Sequence, residues 1–311
     1  MQASQLSIVV QGEVSTITQR ALGVYRALAP EAQIILSTYE DFEPAARCLR
    51  KKGLMDVVVI NEDPGPLPPT VKSATAGPNN LNRMLISTQA GLARADREFT
   101  LKVRSDALIH PVRVMRRWKE EGGSHRLLFA SRYTRHPFGI NGYLFHVSDW
   151  ITFGRTPRCR DYWSAPLMDE ADASYFERTP MPDDATPTAK RFRARMSQEQ
   201  WICGHFARAI GYDAPSRLAQ RTPHLVRQYI EFLAQECIVC DRESLGLELP
   251  KHERSFASVF QRIDCLSEAD WADFKNHFYS NRHVTPGWRM PAFLTRKLLS
   301  ALVLLRKRLL S

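Results

Sequence analysis

Leu6-Ser-Ile-Val-Val-Gln-Gly12 is the stretch that decides the fold. Its apolar residues do not alternate with polar ones, and the run stops abruptly at Gln11-Gly12. A strand wetted on one face alternates; a strand covered on both faces reads as a continuous apolar run. The same kind of segment recurs at Gln33-Ile-Ile-Leu36, Asp56-Val-Val-Val-Ile60, Phe99-Thr-Leu-Lys-Val103, Leu127-Leu-Phe-Ala130 and Tyr143-Leu-Phe-His-Val147. Between them lie helical patterns. Ile17, Ala21, Val24 and Leu28 share one helix face behind a Ser15 or Thr16 cap, and a short helix over 43–51 stops at Gly53. A third helix covers roughly 80–95, with Asn80 as its cap and Leu81, Met84, Leu85, Thr88 and Leu92 inward. This β/α alternation predicts an α/β fold with a mostly parallel, Rossmann-like sheet flanked by helices.

The later sequence changes character. Residues 155–195 are rich in Pro, Asp and Arg, carry little periodicity and read as an active-site loop or lid. Helices are expected from Ser197, over 224–239, from Ser267 behind a Ser267/Asp270 capping box, and from 291 to the end. The expected organisation is a catalytic domain over 1–215, a helical extension over 216–285 and a basic amphipathic helix over 286–311.

The 311 residues carry a net charge of +10, and 281–311 hold seven basic residues and no acid. Those basic residues are interleaved with Leu and Val, which points to an anionic membrane surface and away from nucleic acid. Arg296 and Lys297 recur eleven residues later as Lys307 and Arg308, close to three helical turns. The chain runs straight into its first strand without a basic leader, and no segment reaches the ~20 apolar residues of a membrane span. The expectation is a cytoplasmic protein, peripheral on the inner face of a membrane. Six scattered cysteines suit a reducing compartment, and Cys237-x-x-Cys240, in a stretch of helical period, reads as two buried thiols. The histidines lack metal-ligand spacing and read as loop or core residues; GxSxG, Walker and GxGxxG motifs are absent.

Polar residues follow the strands. Gln11-Gly12, Thr38, Asp63 and Arg104-Ser105-Asp106 each stand at a strand's carboxyl end, where open α/β sheets bind ligands. A nucleotide needs a small residue where backbone approaches it, a hydrogen-bond partner for its base, and cations or a metal for its phosphates. Asp106 is the candidate ligand for a divalent metal, Mn²⁺ or Mg²⁺; alternatively Lys102 and Arg104 neutralise phosphate directly. The residue two before Asp106 is Arg104, so the second carboxylate of an Asp-x-Asp metal motif is missing. Asn82 and Arg83, in a helix's first turn, are candidate contacts to donor sugar or phosphate. In Ser197-Gln-Glu-Gln200 a capping box puts Glu199 in the first turn, where the dipole favours its ionised form. Glu199 is one candidate base for deprotonating an acceptor hydroxyl, and Asp149, placed after a strand, is the other.

Taken in order, Ser7–Gly12, Ile34–Tyr39, Asp63-Pro-Gly65, Asn80-Leu-Asn-Arg83 with Ser87-Thr88 and Gly91-Leu92, Leu101–Asp106, Ser148-Asp-Trp150 with Gly154, and Glu199-Gln200 resemble the WavE lipopolysaccharide-synthesis family over residues 6–280. The resemblance implies a GT-A-like glycosyltransferase that builds lipopolysaccharide core, capsule or a related surface glycan. It would use a nucleotide-sugar donor and an oligosaccharide or lipid-linked acceptor. It also implies Asp106 as the metal-binding carboxylate and Glu199 as the nearest match to the base. Two rivals remain: a sugar nucleotidyltransferase, for which the sparse Gln11-Gly12-Glu13 lacks a glycine-rich phosphate loop, and a non-catalytic membrane-associated glycan-assembly protein.

Overall fold

The structure, a computed structural model, describes residues 1–139, 141–183, 185–252 and 264–279. The helix expected from 291, and with it the 286–311 segment and its membrane contact, lies outside the described residues.

Seven strands form one sheet: β1 (Leu6–Gln11), β2 (Gln33–Tyr39), β3 (Val57–Asn61), β4 (Phe99–Arg104), β5 (Leu127–Ala130), β6 (Ile151–Arg155) and β7 (Cys237–Cys240), ordered β3-β2-β1-β4-β6-β5-β7. The β1–β2, β2–β3, β1–β4 and β5–β7 pairs are parallel, and β6 is antiparallel to both its neighbours. The mixed α/β sheet, mostly parallel and flanked by helices, is the fold class expected. All six residues of β1 are buried, as its unbroken apolar run requires.

The helices are α1 (Thr16–Leu28), α2 (Glu43–Lys51), α3 (Leu81–Ala93), α4 (Pro111–Glu120), α5 (Thr156–Tyr162), the single turns α6 (Glu170–Ala173) and α7 (Tyr175–Arg178), α8 (Gln198–Ala209), α9 (Pro223–Gln235), the single turn α10 (Arg242–Leu245) and α11 (Glu268–Tyr279). Ser15 caps α1, its hydroxyl accepting from Thr18 N. On α1 Thr18, Ala21, Leu22 and Tyr25 are buried at helical spacing. The Ser267/Asp270 box forms in full at the start of α11.

The register assigns each side chain to a face. Val9, Ile35 and Lys102 share one face, and Val10, Leu36 and Val103 share the other. Helix α3 lies on the first face so closely that a Cβ at Gly91 would come within 2.5 Å of Val9 Cγ1. Only glycine permits that approach, which seats the last turn of α3 against Val9 of β1 and Ser37 of β2. On the opposite face Trp118 of α4 packs edge-on against Phe99 and Phe153, with centroids 5.3 and 5.8 Å apart.

Four expectations need correction. Tyr143–Val147 is not a strand; Ile151–Arg155 is, because only there does the chain pair with β4. Cys237 and Cys240 lie on β7 and not on a helix: α9 stops at Gln235, and after Glu236 the residues Cys237–Cys240 pair with β5. Both thiols are buried. The 216–285 segment is therefore not purely helical, since it supplies an edge strand of the sheet. Finally, 155–195 is not the loop without regular structure that was expected. It holds α5, α6 and α7, and Tyr162 and Trp163 are fully buried. Phe176 and Ala189 join Tyr143 and Leu218 in a small second core.

A polar cluster at the carboxyl ends of the strands

The ends of β1 and β4 are joined at the centre of the rim. Ser105 N donates to Gln11 O at 2.8 Å, Gly12 N to Ser37 O at 3.1 Å, and Thr18 Oγ1 to Ser105 O at 3.1 Å. Gly12 has φ +124°, a backbone that side chains resist, and a Cβ there would meet Ser105 Oγ at 2.7 Å. The bare backbone expected near a ligand is thus imposed by the strand ends themselves. Gln11 shares its sheet face with Ser37 and Arg104. Its Oε1 is buried without a hydrogen-bond partner among the described residues, an acceptor waiting for a donor.

Arg104 organises the next layer. Its Nε and Nη2 donate to both oxygens of Asp106 at 3.0 and 2.9 Å, and Nη1 lies 3.6 Å from Asp149 Oδ2. Its guanidinium also covers the Trp150 ring, 5.2 Å from the centroid. Burial disfavours the charge of Arg104, but Asp149, Asp106 and Glu199 outweigh it and hold the guanidinium above its ordinary value. Asp149 precedes β6, whose first residue pairs with Val103, so it reaches the rim at the start of an antiparallel strand and not after a strand as expected. Burial pushes its carboxyl up, Arg104 pulls it back, and Glu199 adds to the rise.

Glu199 comes from the other side, in the first turn of α8. Ser197 caps this helix through Gln200 N at 3.2 Å. The reciprocal half of the expected box does not form: Gln200 Oε1 accepts nothing among the described residues, while its Nε2 donates to Leu144 O. Burial works against the ionised form that the dipole favours at Glu199. Burial is the largest effect and raises its carboxyl, while its own backbone N–H, Arg135, Ser197 and Arg104 pull less strongly the other way. The starts of α3 and α8 are pinned together by Asn79, whose Oδ1 accepts from Leu81 N and Gln198 Nε2. Asn80 is the N-cap residue of α3 as expected, but its side chain makes no capping bond: Leu81 N donates to Asn79 Oδ1, and Asn80 Oδ1 accepts from Arg83 Nη1.

The remaining predicted residues divide. Thr38 follows Ser37 on β2, so its side chain lies on the sheet face opposite Gln11; it is fully buried, and its hydroxyl has no partner among the described residues. Asp63 and Arg83 form a two-pronged pair at 2.7 Å beyond the edge strand β3, tied to β2 by Tyr39, whose hydroxyl donates to Arg83 O. Asn82 uses both halves of its amide on the Met168 backbone, at 2.9 and 2.8 Å, which fastens α3 to the 163–168 segment. Lys102 is fully buried beneath the rim, with Nζ donating to Asp149 O at 2.6 Å and lying 4.1 Å from the Trp163 ring centroid. Burial brings its ammonium down to about 7.

The donor set as arranged does not fit a resident divalent ion. Each Asp106 oxygen is taken by Arg104, and no group of three His, Cys, Asp or Glu able to hold a metal occurs among the described residues. Residues that sequence reasoning missed complete the cluster. His146 Nε2 stands 3.4 Å from Glu199 Oε2, and Arg135 pairs with Asp264 at 3.1 Å. Their only sequence signal was position, His146 lying three residues before Asp149.

The sheet and its rim define an open α/β protein with its polar site beyond the carboxyl ends of the strands. The chain belongs to the WavE lipopolysaccharide synthesis family, whose model matches residues 6–297. The comparison with curated proteins gives no match. Among solved structures the chain is similar to S. aureus TarS 1-349 (11% identity, 91% of this chain and 74% of that one, TM-score 0.35). It is also similar to 4-diphosphocytidyl-2C-methyl-D-erythritol synthase from Anaerococcus prevotii (10% identity, 58% and 85%, TM-score 0.35). A third is Rv0371c from Mycobacterium tuberculosis in complex with manganese (18% identity, 57% and 84%, TM-score 0.32). Likenesses this distant carry no argument about the site. No helix among the described residues is long and apolar enough to cross a membrane.

Proposed function

We propose that this chain is a GT-A-type glycosyltransferase that moves a sugar from a nucleotide-sugar to a hydroxyl of lipopolysaccharide core, capsule or a related surface glycan. The observation that carries the reading is one rim cluster in a lipopolysaccharide-synthesis chain: a buried Gln11 Oε1 with no partner among the described residues, bare backbone at Gly12, the Arg104 cation, and two carboxyls, buried Asp149 and partly exposed Glu199.

In this reading Gln11 and Gly12 receive the nucleotide, and Arg104, held by Asp106, meets the diphosphate. Arg104 then stabilises the charge that develops on the leaving diphosphate, a role a fixed guanidinium fills without a metal. Asp63, Arg83 and Asn82 flank the donor from the β3 side, Asn82 by fixing the 163–168 segment. Thr38 and Lys102 support the rim from within. Of the two base candidates Glu199 is preferred, because its side chain keeps 18% exposure against 4% for Asp149. The chain would work at the cytoplasmic face of the inner membrane, held there by the basic 286–311 segment.

The test is release of nucleoside diphosphate across a panel of nucleotide-sugars with a lipopolysaccharide-core acceptor, wild type against Arg104→Met and Glu199→Gln, with and without Mn²⁺. Losses of about 10²-fold or more are expected in each variant, the range for a transition-state charge partner or a general base. Full activity in both would refute the assignment, and no nucleotide binding by calorimetry under any condition would refute the class.

A further inference from the structure

His146 is buried, only 4% exposed, and each of its ring nitrogens faces an oxygen. Nδ1 lies 2.9 Å from the carbonyl oxygen of Tyr133. A carbonyl only accepts, so Nδ1 carries the hydrogen and Nε2 is left as the ring's variable position. Nε2 faces Glu199 Oε2 at 3.4 Å. Tyr143 stacks on the ring, 6.1 Å between centroids and 17° between planes, and limits its tilt. Tyr133 itself sits at φ +66°, an uncommon backbone for a tyrosine, and that bend delivers its carbonyl to the histidine.

Between Nε2 and Oε2 there is room for one proton. With none, a lone pair faces a carboxylate; with one, a hydrogen bond joins them. We propose that His146 is a positioning residue for the base, and that Glu199 and His146 hold the proton taken from the acceptor hydroxyl as one pair. This rests on the glycosyl-transfer reading above. In the step, the acceptor O–H bond breaks and its oxygen bonds the anomeric carbon. The bond from that carbon to the diphosphate oxygen breaks, and its electron pair leaves on the diphosphate. The proton passes to Glu199 and is shared with Nε2.

The surrounding groups set the direction. Burial and then Arg135 bring the imidazole down to about 3, so the proton resides on the carboxyl side. The charged and titratable groups that face the pair are Arg135 with Asp264, Arg104 and Asp149, together with the Tyr143 phenol. A neutral Nε2 that accepts from the protonated carboxyl stabilises that form and strengthens Glu199 as a base.

Two variants separate proton holding from packing. His146→Asn keeps a donor for the Tyr133 carbonyl and removes the group facing Glu199. His146→Gln keeps a hydrogen-bonding group toward Glu199. The Glu199 carboxyl is followed by carbon NMR with ¹³C-glutamate labelling, Glu199→Gln assigning the signal, and the pH profile of nucleoside diphosphate release is measured alongside. The Glu199 midpoint and the acid limb are both expected to fall by about one pH unit in His146→Asn, the shift that losing one net hydrogen bond brings. They should return toward wild type in His146→Gln. An unmoved midpoint in both variants overturns the proposal. A moved midpoint in a protein that releases no diphosphate keeps the pair and refutes glycosyl transfer instead.

Discussion

Replacing Lys102 by methionine tests the electrostatics of the rim most directly. The ammonium is fully buried, donates one hydrogen bond to Asp149 O at 2.6 Å and lies over Trp163. Burial lowers it from 10.5 to about 7, against the pull of Asp149. Between those values the unfolded chain binds a proton that the folded chain does not, so stability falls as pH drops from about 10 to about 7 and levels off below. At about 1.4 kcal/mol per pH unit, the wild type loses roughly 3 kcal/mol over that window from this group alone. Methionine fills a similar volume and does not titrate. Its loss of the bond to Asp149 O adds a cost of about 1–3 kcal/mol that does not depend on pH. The difference in stability between Lys102→Met and wild type should therefore grow in the variant's favour as pH falls. Urea unfolding at half-unit pH steps measures it, and the other titrating groups cancel in the difference. A difference constant to within about 0.5 kcal/mol from pH 7 to 10 would refute the reasoning.

Gly12→Ala forces a Cβ to 2.7 Å from Ser105 Oγ at φ +124°, so a destabilisation of about 1–3 kcal/mol and weaker nucleoside diphosphate binding are expected. Calorimetry and thermal unfolding check both, and wild-type values would show that the β1 and β4 ends are not fixed as described. Asn82→Ala strips two hydrogen bonds from the Met168 backbone and should cost about 1–3 kcal/mol. Hydrogen exchange at the Met168 amide should speed up well beyond the change at β1 amides; equal protection would rule out the tether.

Some of this protein could be read from its residues in order. Unbroken apolar runs such as Leu6–Val10 and Gln33–Leu36 declared strands covered on both faces, because periodicity is a local property. Caps at Ser15, Ser197 and Ser267 were legible for the same reason, and so was the strand-end placing of Gln11, Gly12 and Arg104. Tertiary structure decided what depended on partners. Thr38 went to the far face because its register with β1 puts it out of phase with Gln11, and Lys102 vanished beneath the rim because Trp163 covers it. Cys237–Cys240 became a strand because β5 offered an edge, which no helical spacing could foresee. The Glu199–His146 contact spans 53 residues, by the difference of their numbers, and burial works against the effect expected of the helix dipole on Glu199. Desolvation is a property of everything that surrounds a group, and the surroundings exist only once the chain has folded.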